Sequence, residues 1–328
     1  DVTTLTVGST VANLAFTGNG SSVTNAVTFT NDGTLTLGQD GGTQTYNGGL
    51  TASGVGSTVT LNGTIAASDD AITFGAVTLG SNTVIDTNAA GTNTGDLTIA
   101  AVTGGSNTLT LSTEDNVANA DITASGAISG VTTLTLSNVG GTATLSADVD
   151  VTTLSVDNTV ANVAFTGNGS SVTNTISFAN DGTLTLGQDS GTQTYNGGLT
   201  TTSVGGIVTL NGTIATSNDA IVLGAVTLGS ATTIDTNASS NAADITIAAV
   251  TGGNNTLTLT TENNVSGADI TASGAISGVT TLTLASVGGT ATLSADVDVT
   301  TFAVGSTVAN LAFTGNGSSV TNAVTFTN

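Results

Sequence analysis

The only charged side chains in this sequence are carboxylates. The 328 residues include 22 Asp and Glu but no Lys, Arg or His, so the formal net charge is −22, and Cys is absent as well. The chain therefore lacks the side chains that usually transfer protons near neutral pH, form thiolates or bind zinc. A glycosidase would need two carboxylates across a cleft, one with a raised pKa, and no basic group is present to tune them. These features predict a protein that is not an enzyme.

Paired carboxylates are the candidate metal ligands. Asp148 and Asp150 stand at i and i+2, as do Asp296 and Asp298, and an extended backbone projects such pairs from one face. Two further acidic pairs are adjacent in sequence, namely Asp69 with Asp70 and Glu114 with Asp115. Calcium prefers oxygen ligands, so Asp148, Asp150, Asp296 and Asp298 are candidate calcium ligands. Neither the β-roll nonapeptide nor a D-x-[DN]-x-[DN]-G loop occurs, so solvated surface charge with no cofactor is the favoured interpretation and calcium binding is the alternative.

The charge also excludes several classes of partner. Without basic side chains the chain cannot neutralise phosphates, which argues against nucleic-acid binding, P-loop nucleotide binding and docking on anionic membranes. No window holds the roughly 18 continuous apolar residues of a membrane helix. We therefore expect no nucleic-acid partner and no membrane insertion.

The sequence is a tandem repeat. The segment DVTTLTVGSTVANLAFTGNGSSVTNAVTFTN from Asp1 returns with few changes at Asp150 and Asp298, at spacings of 149 and 148 residues. This predicts repeat units at 1–149 and 150–297 and the start of a third at 298–328, forming one continuous fragment of a longer array. The lost residue falls where NAAGTNTG in the first unit aligns with NASSNAA in the second, which predicts an exposed loop.

Short strands are predicted throughout. Aliphatic residues alternate with Thr or small residues in runs of about four to six, divided by Gly, Asn, Asp and Ser roughly every ten residues, which indicates strands with one buried face. The runs in the first repeat are VTTLTV, NLAF, AVTF, TLTL, TVTL, AITF, DLTI, TLTL, TLTL and TATL. No segment sustains a helical period, so the fold class is all-β.

Two architectures fit this pattern: tandem antiparallel sandwiches, or a β-solenoid, specifically a right-handed parallel β-helix. The solenoid is favoured because no linker separates the repeats, the strands are short and evenly spaced, and aromatic residues make up only 3% of the chain. A coil of about 20 to 25 residues, within the range of stacked structural repeats, would give six or seven coils per repeat. Because no cation can pair with the carboxylates, we expect them on corners or outer faces in contact with water.

The Asn-Gly-Ser/Thr triplets and the two tyrosines each have two competing interpretations. Asn19, Asn62, Asn168, Asn211 and Asn316 each begin an Asn-Gly-Ser/Thr triplet, which is a glycosylation sequon but also ordinary turn chemistry. Turns are the favoured interpretation. The only tyrosines are Tyr46 and Tyr195, at equivalent repeat positions. They could be exposed contacts in a glycan groove or core residues.

Runs such as NDGTLTLGQDGG, GDLTIAAVTGGSNTLTLST and ADITASGAISGVTTLTL resemble the β-strand repeats of large bacterial exoproteins related to filamentous haemagglutinin and autotransporter passengers. The resemblance implies an extracellular or cell-surface β-helix that serves as a fibre, stalk or sheath, and neighbouring copies of the same chain are the expected partners. An adhesin that binds carbohydrate or a partner surface is the alternative. The absence of Lys and Arg departs from that group and argues against adhesion to anionic glycans.

Overall fold

The fold is an all-β solenoid of about 14 turns, built from parallel strands, and no helix occurs among the residues that the structure describes. A computed structural model describes residues 1–88, 95–114, 117–262 and 265–326. The solenoid prediction is confirmed, and the alternative of antiparallel sandwiches is wrong, because every strand pairing within the described ranges is parallel. The chain divides into two compact units, Asp1–Phe165 and Thr166–Asn328, and each is described by itself.

Unit 1 contains fifteen strands within its described residues. They are β1 (Leu14–Phe16), β2 (Ser21–Val23), β3 (Val27–Thr28), β4 (Leu35–Leu37), β5 (Thr43–Tyr46), β6 (Leu50–Ala52), β7 (Val59–Ala67), β8 (Ile72–Asp86), β9 (Leu97–Thr103), β10 (Leu109–Ser112), β11 (Ile122–Ala124), β12 (Ile128–Ser137), β13 (Val139–Leu145), β14 (Val149–Val156) and β15 (Val160–Phe165).

Unit 2 contains fourteen strands within its described residues. They are β16 (Ser171–Val172), β17 (Ile176–Ser177), β18 (Leu184–Leu186), β19 (Thr192–Tyr195), β20 (Leu199–Thr200), β21 (Val208–Ala215), β22 (Ile221–Asp235), β23 (Ile245–Thr251), β24 (Thr256–Thr260), β25 (Ile270–Ala272), β26 (Ile276–Leu293), β27 (Val297–Phe313), β28 (Ser319–Val320) and β29 (Thr325–Phe326).

The strands of unit 1 pair in register into three stacks, each visited once per turn. The first stack joins 14–16, 35–37, 59–61, 77–79, 102–103, 128–129 and 149–150. The second joins 21–23, 43–46, 64–67, 83–86, 109–112, 134–137 and 154–156. The third joins 27–28, 50–52, 72–74, 97–99, 122–124, 143–145 and 163–165. A long strand such as β8 runs through all three stacks.

Unit 2 also contains three stacks, which are numbered for that unit by itself. The first joins 184–186, 208–210, 226–228, 250–251, 276–277, 297–299 and 319–320. The second joins 171–172, 192–195, 212–215, 232–235, 256–260, 281–284, 301–304 and 325–326. The third joins 176–177, 199–200, 221–223, 245–247, 270–272, 291–293 and 311–313.

The core consists of aliphatic rows that follow the stacks. In the third stack of unit 1, Leu50, Ile72, Leu97 and Ile122 occupy successive coils at the same register position, and each is at most 2% exposed. Period-two alternation explains this arrangement, since every second side chain of a strand points inward. Parallel register then places each inward side chain over its counterpart in the next coil.

Coil length varies more than the sequence pattern predicts. One short coil leads from Val59 to its partner Val77, whereas a much longer coil leads from Thr83 to its partner Leu109. One repeat is also not a whole number of turns. Leu14 lies in the first stack of unit 1, but its equivalent in the second repeat, Val163, lies in the third. Six turns lead from Leu14 to Val149, and two further corners make the repeat six and two-thirds turns long.

Most of the local predictions are confirmed. All the predicted runs of the first repeat except VTTLTV form strands in unit 1. In VTTLTV only Val2 makes a bridge, to Val23, whereas the equivalent β14 pairs with β12 of the preceding coil. The predicted loop is confirmed in the second repeat, where residues 239–242 are exposed. In the first repeat its central residues, 89–94, lie outside the described residues. No helix that could cross a membrane occurs in the described ranges.

Candidate functional site

The first predicted calcium pair lies where unit 1 enters a first-stack strand. Asp148 is half-buried directly before β14, and Asp150 is exposed within it. Val149, between them, is 1% exposed, so the two carboxylates flank a residue that points inward. The backbone carbonyl of Asp148 accepts a hydrogen bond from the Ile128 N–H of the preceding coil at 2.9 Å. The predicted i, i+2 arrangement on an extended segment is therefore present.

The second pair repeats this placement in unit 2. Asp296 is half-buried directly before β27, and Asp298 is exposed within it, opposite Ser277 on one side and Ser319 on the other. Asp298 also lines a shallow polar groove. The other side chains of that groove include those of Asn254, Thr280, Thr300, Ser319 and Thr321. The Asp298 carboxylate can accept hydrogen bonds, and the hydroxyl and amide groups around it can both donate and accept them.

Nowhere in the described ranges do three or more acidic, His or Cys side chains come together in a way that could hold a metal ion. A calcium ion at Asp148 and Asp150, or at Asp296 and Asp298, would need backbone, hydroxyl or water oxygens to complete its six to eight ligands. Calcium binding at these four residues stays a prediction. Asp115, part of another acidic pair, lies outside the described residues.

The larger concentration of charge within each unit is a row of carboxylates along one corner, here called the acidic edge of that unit. It lies where the chain turns from the second stack to the third. Its members in unit 1 are Asp69, Asp70, Asp86, Asp96, Glu114, Asp121 and Asp157, and in unit 2 Asp219, Asp235, Asp244, Glu262 and Asp269. Sequence reasoning missed this row because the coil boundaries that align these residues could not be assigned.

Some carboxylates of the acidic edge accept hydrogen bonds from the next coil. Asp96 Oδ1 accepts the backbone N–H of Asp121 at 3.0 Å, and Asp121 Oδ1 accepts that of Thr142 at 2.7 Å. Asp244 and Asp269 repeat the arrangement in unit 2. Hydrogen bonds to a charged acceptor are stronger than neutral ones, so these carboxylates help to satisfy the backbone at the corner.

Two carboxylates contradict the expectation that all would contact water freely. Asp86 and Asp235, at equivalent positions, are each only 9% exposed. Burial raises the pKa of Asp235 to about 6; a hydrogen bond from the Asn237 N–H lowers it, and the nearby negative charge of Glu262 raises it. A buried carboxylate without a cation nearby favours its neutral form. Both residues lie at a corner as expected, but each carboxylate there is largely covered and accepts the backbone N–H two residues further along the chain.

The tyrosines are core residues, so the interpretation as exposed glycan contacts is wrong. Tyr46 and Tyr195 have no exposed surface. The Tyr46 hydroxyl donates to Gln44 Oε1 at 3.1 Å, and the Gln44 side-chain amide donates to the carbonyls of Phe16 and Gly18. Burial raises the pKa of the Tyr46 hydroxyl well above its ordinary value. Inward-facing Gln residues thus satisfy the tyrosine hydroxyls inside the solenoid, which the period-two pattern of TQTY could have indicated.

The five Asn-Gly-Ser/Thr triplets fall into two structural groups. Asn62 and Asn211 are half-buried within β7 and β21, and each side-chain amide donates to the carbonyl of a residue in the preceding coil. The remaining three, Asn19, Asn168 and Asn316, are exposed next to glycines with positive φ. Asn19 and Asn168 each accept a backbone N–H from the following coil. The turn interpretation therefore accounts for the exposed triplets, and coil stacking accounts for the other two.

No protein-family model, curated protein or solved structure matches this chain.

Proposed function

We propose that this chain is a structural repeat segment of an extracellular fibre, stalk or sheath, which supplies rigidity and resistance to proteolysis. The observation that carries the proposal is the in-register stacking of parallel strands around buried aliphatic rows in each unit. Each fully buried Leu, Ile or Val stabilises the fold by about 1.5 to 3 kcal/mol, and the backbone of each interior coil pairs on both sides. Such an arrangement offers few low-energy local openings to a protease.

The surface chemistry supports the same role. Trypsin has no cleavage site, because Lys and Arg are absent, and a net charge of −22 favours solubility of a long array. The extracellular or cell-surface location rests on the resemblance of the repeats to bacterial exoproteins. We include no catalytic step in the proposal.

A direct adhesin is the second candidate function. The polar groove that contains Asp298, Asn254 and Thr300 favours it, since hydroxyl, amide and carboxylate groups can hydrogen-bond a neutral sugar. The burial of both tyrosines removes the tyrosine rings as surfaces on which a sugar could stack. The structural role is therefore the better supported of the two.

Digestion with proteinase K, which needs no basic residue, tests the structural proposal. We expect the stacked segments to survive as large fragments, with early cuts confined to exposed loops such as residues 239–242. The matched control is Ile247→Asp, which places a carboxylate at a fully buried core position of β23 and should make unit 2 susceptible. Rapid digestion of the unaltered chain throughout its length would contradict the proposal.

A further inference from the structure

The third stack of unit 1 presents an outer face without charge, here called the threonine face. Its outward row consists of residues at matching register positions in six successive coils: Thr28, Thr51, Thr73, Thr98, Thr123 and Thr144. A second outward row lies two residues further along each strand and contains Thr30, Ser53, Gly75, Ala100, Ser125 and Ser146. None of these twelve residues is buried. Coils stack about 4.8 Å apart, and the two rows lie about 7 Å apart within a strand.

The other outward rows of unit 1 are less suited to a flat contact. The first stack also carries threonines, at Thr36, Thr60, Thr78 and Thr103, but its row ends on the exposed carboxylate of Asp150. A hollow lined by Ser57, Ala76 and Thr103 also interrupts that face.

We propose that the threonine face is the surface through which two copies of this chain associate side by side. The proposal rests on the structural role proposed above and names its partner. Every copy carries only negative charge, and like charges brought together across an interface oppose association. Contact between copies should therefore use a surface free of carboxylates. The threonine face meets this requirement over six coils.

The acidic edge selects the orientation of the two copies. Asp96 and Asp121 directly precede the third-stack segments at Leu97 and Ile122, so the acidic edge borders one side of the threonine face, whereas the other side carries only Asp32 and Asp148, one at each end. A two-fold axis parallel to the direction of stacking places the two acidic edges on opposite sides of the contact. A two-fold axis parallel to the strands would place the two acidic edges side by side, where they repel. The contact is therefore between parallel copies, each coil facing its own equivalent.

This arrangement also fits the shapes of the two rows. The two-fold axis exchanges them, so the threonine row of one copy lies over the row of smaller residues of the other. Thr98, for example, faces the row that contains Gly75 and Ala100 in the second copy. The threonine methyl groups of one copy then occupy the space above the smaller side chains of the other copy.

Single cysteines test the contact, because the chain has none of its own. Thr51→Cys and Thr123→Cys lie three coils apart on the threonine face, and Thr60→Cys on the first stack is the matched control. With a short bismaleimide we expect both threonine-face variants to form covalent dimers and the control to form few. Only one of the two cross-linking would indicate antiparallel copies, and equal cross-linking of the control would indicate unspecific contact; either result would overturn the proposal.

A charge substitution provides the second measurement. Thr98→Asp should weaken association in sedimentation equilibrium by about tenfold or more, whereas Thr60→Asp, which adds the same charge to the first stack, should change it little. Association of the unaltered chain should strengthen as NaCl screens the acidic edges. Equal effects of the two substitutions would refute the proposal, as would binding of the face to suspended cellulose without self-association.

Proteinase K digestion of the same preparations distinguishes failure of the inferred contact between copies from failure of the proposed structural role. A chain that stays monomeric but resists digestion would contradict the inferred contact and leave the structural role standing. A chain that is digested throughout would contradict both.

Discussion

At the scale of single residues, the position of a carboxylate in the coil decides its chemistry. Asp121 lies at a corner, half-buried, and its carboxylate accepts a hydrogen bond from the next coil. Asp235 ends a second-stack strand, accepts a hydrogen bond from the Asn237 N–H within its own turn and is 9% exposed. Both are Asp residues in similar Ala- and Thr-rich surroundings, so composition could not distinguish them. The difference arises from the register of each residue relative to the corner.

The raised pKa of Asp235 predicts a dependence of stability on pH. Its folded-state pKa of about 6 exceeds the ordinary value of 3.8, so the folded state binds the proton more tightly than the unfolded state. The contribution of this group to stability is greatest below pH 3.8 and is lost as pH rises through 6. Since one pKa unit corresponds to about 1.4 kcal/mol, the loss at neutral pH is at most about 3 kcal/mol.

Asp235→Asn removes this ionisation while keeping an oxygen that can accept the Asn237 N–H. We expect the variant to unfold at a higher temperature than the unaltered chain at pH 7 and at about the same temperature at pH 4. The control, Asp189→Asn, changes an exposed carboxylate and should leave the pH profile unaltered. If D235N and the unaltered chain differed in unfolding temperature by the same amount at pH 7 and pH 4, the effect would not come from ionisation.

At the scale of strands and turns, the sequence predicts the elements well and their alignment poorly. TLTL at 108–111 and AITF at 71–74 show period-two alternation, and both form strands. Their partners could not be assigned, because coil length changes from the short coil that starts at Val59 to the long coil that starts at Thr83. The acidic edge and the threonine face both follow from that alignment, so neither could be predicted. The candidate calcium pairs needed only an extended segment, which is present at both places, and calcium binding there stays a prediction.

Close approach of neighbouring turns explains certain glycines. A Cβ added at Gly104 would lie 2.4 Å from the carbonyl oxygen of Gly130 in the next coil, whereas one added at Gly8 would meet nothing within 4 Å. Gly104→Ala should therefore destabilise unit 1 by about 1 to 3 kcal/mol, measured by denaturant unfolding. Gly8→Ala is the control and should change stability by less than about 0.5 kcal/mol. Equal effects would mean that the turns do not approach as described.

At the scale of the whole molecule, the repeat and the coil have different periods. A repeat of six and two-thirds turns begins on one stack of unit 1 and ends on another, and unit 2 shows the same relation between Ser177 in its third stack and Thr325 in its second. Near-identical sequences therefore occupy different stacks. Interchangeable inward rows of Leu, Ile and Val make this possible, because any stack accepts the same small aliphatic side chains.

The central claim is that successive coils stack in register at a constant rise. Electron paramagnetic resonance distances between two spin-labelled cysteines test it most directly, using Thr28 paired with Thr123 and Thr28 paired with Thr144. These pairs lie four and five coils apart in the third stack. We predict backbone separations of about 19 and 24 Å, a difference of one coil spacing. Distances that do not increase with the number of coils would contradict the account.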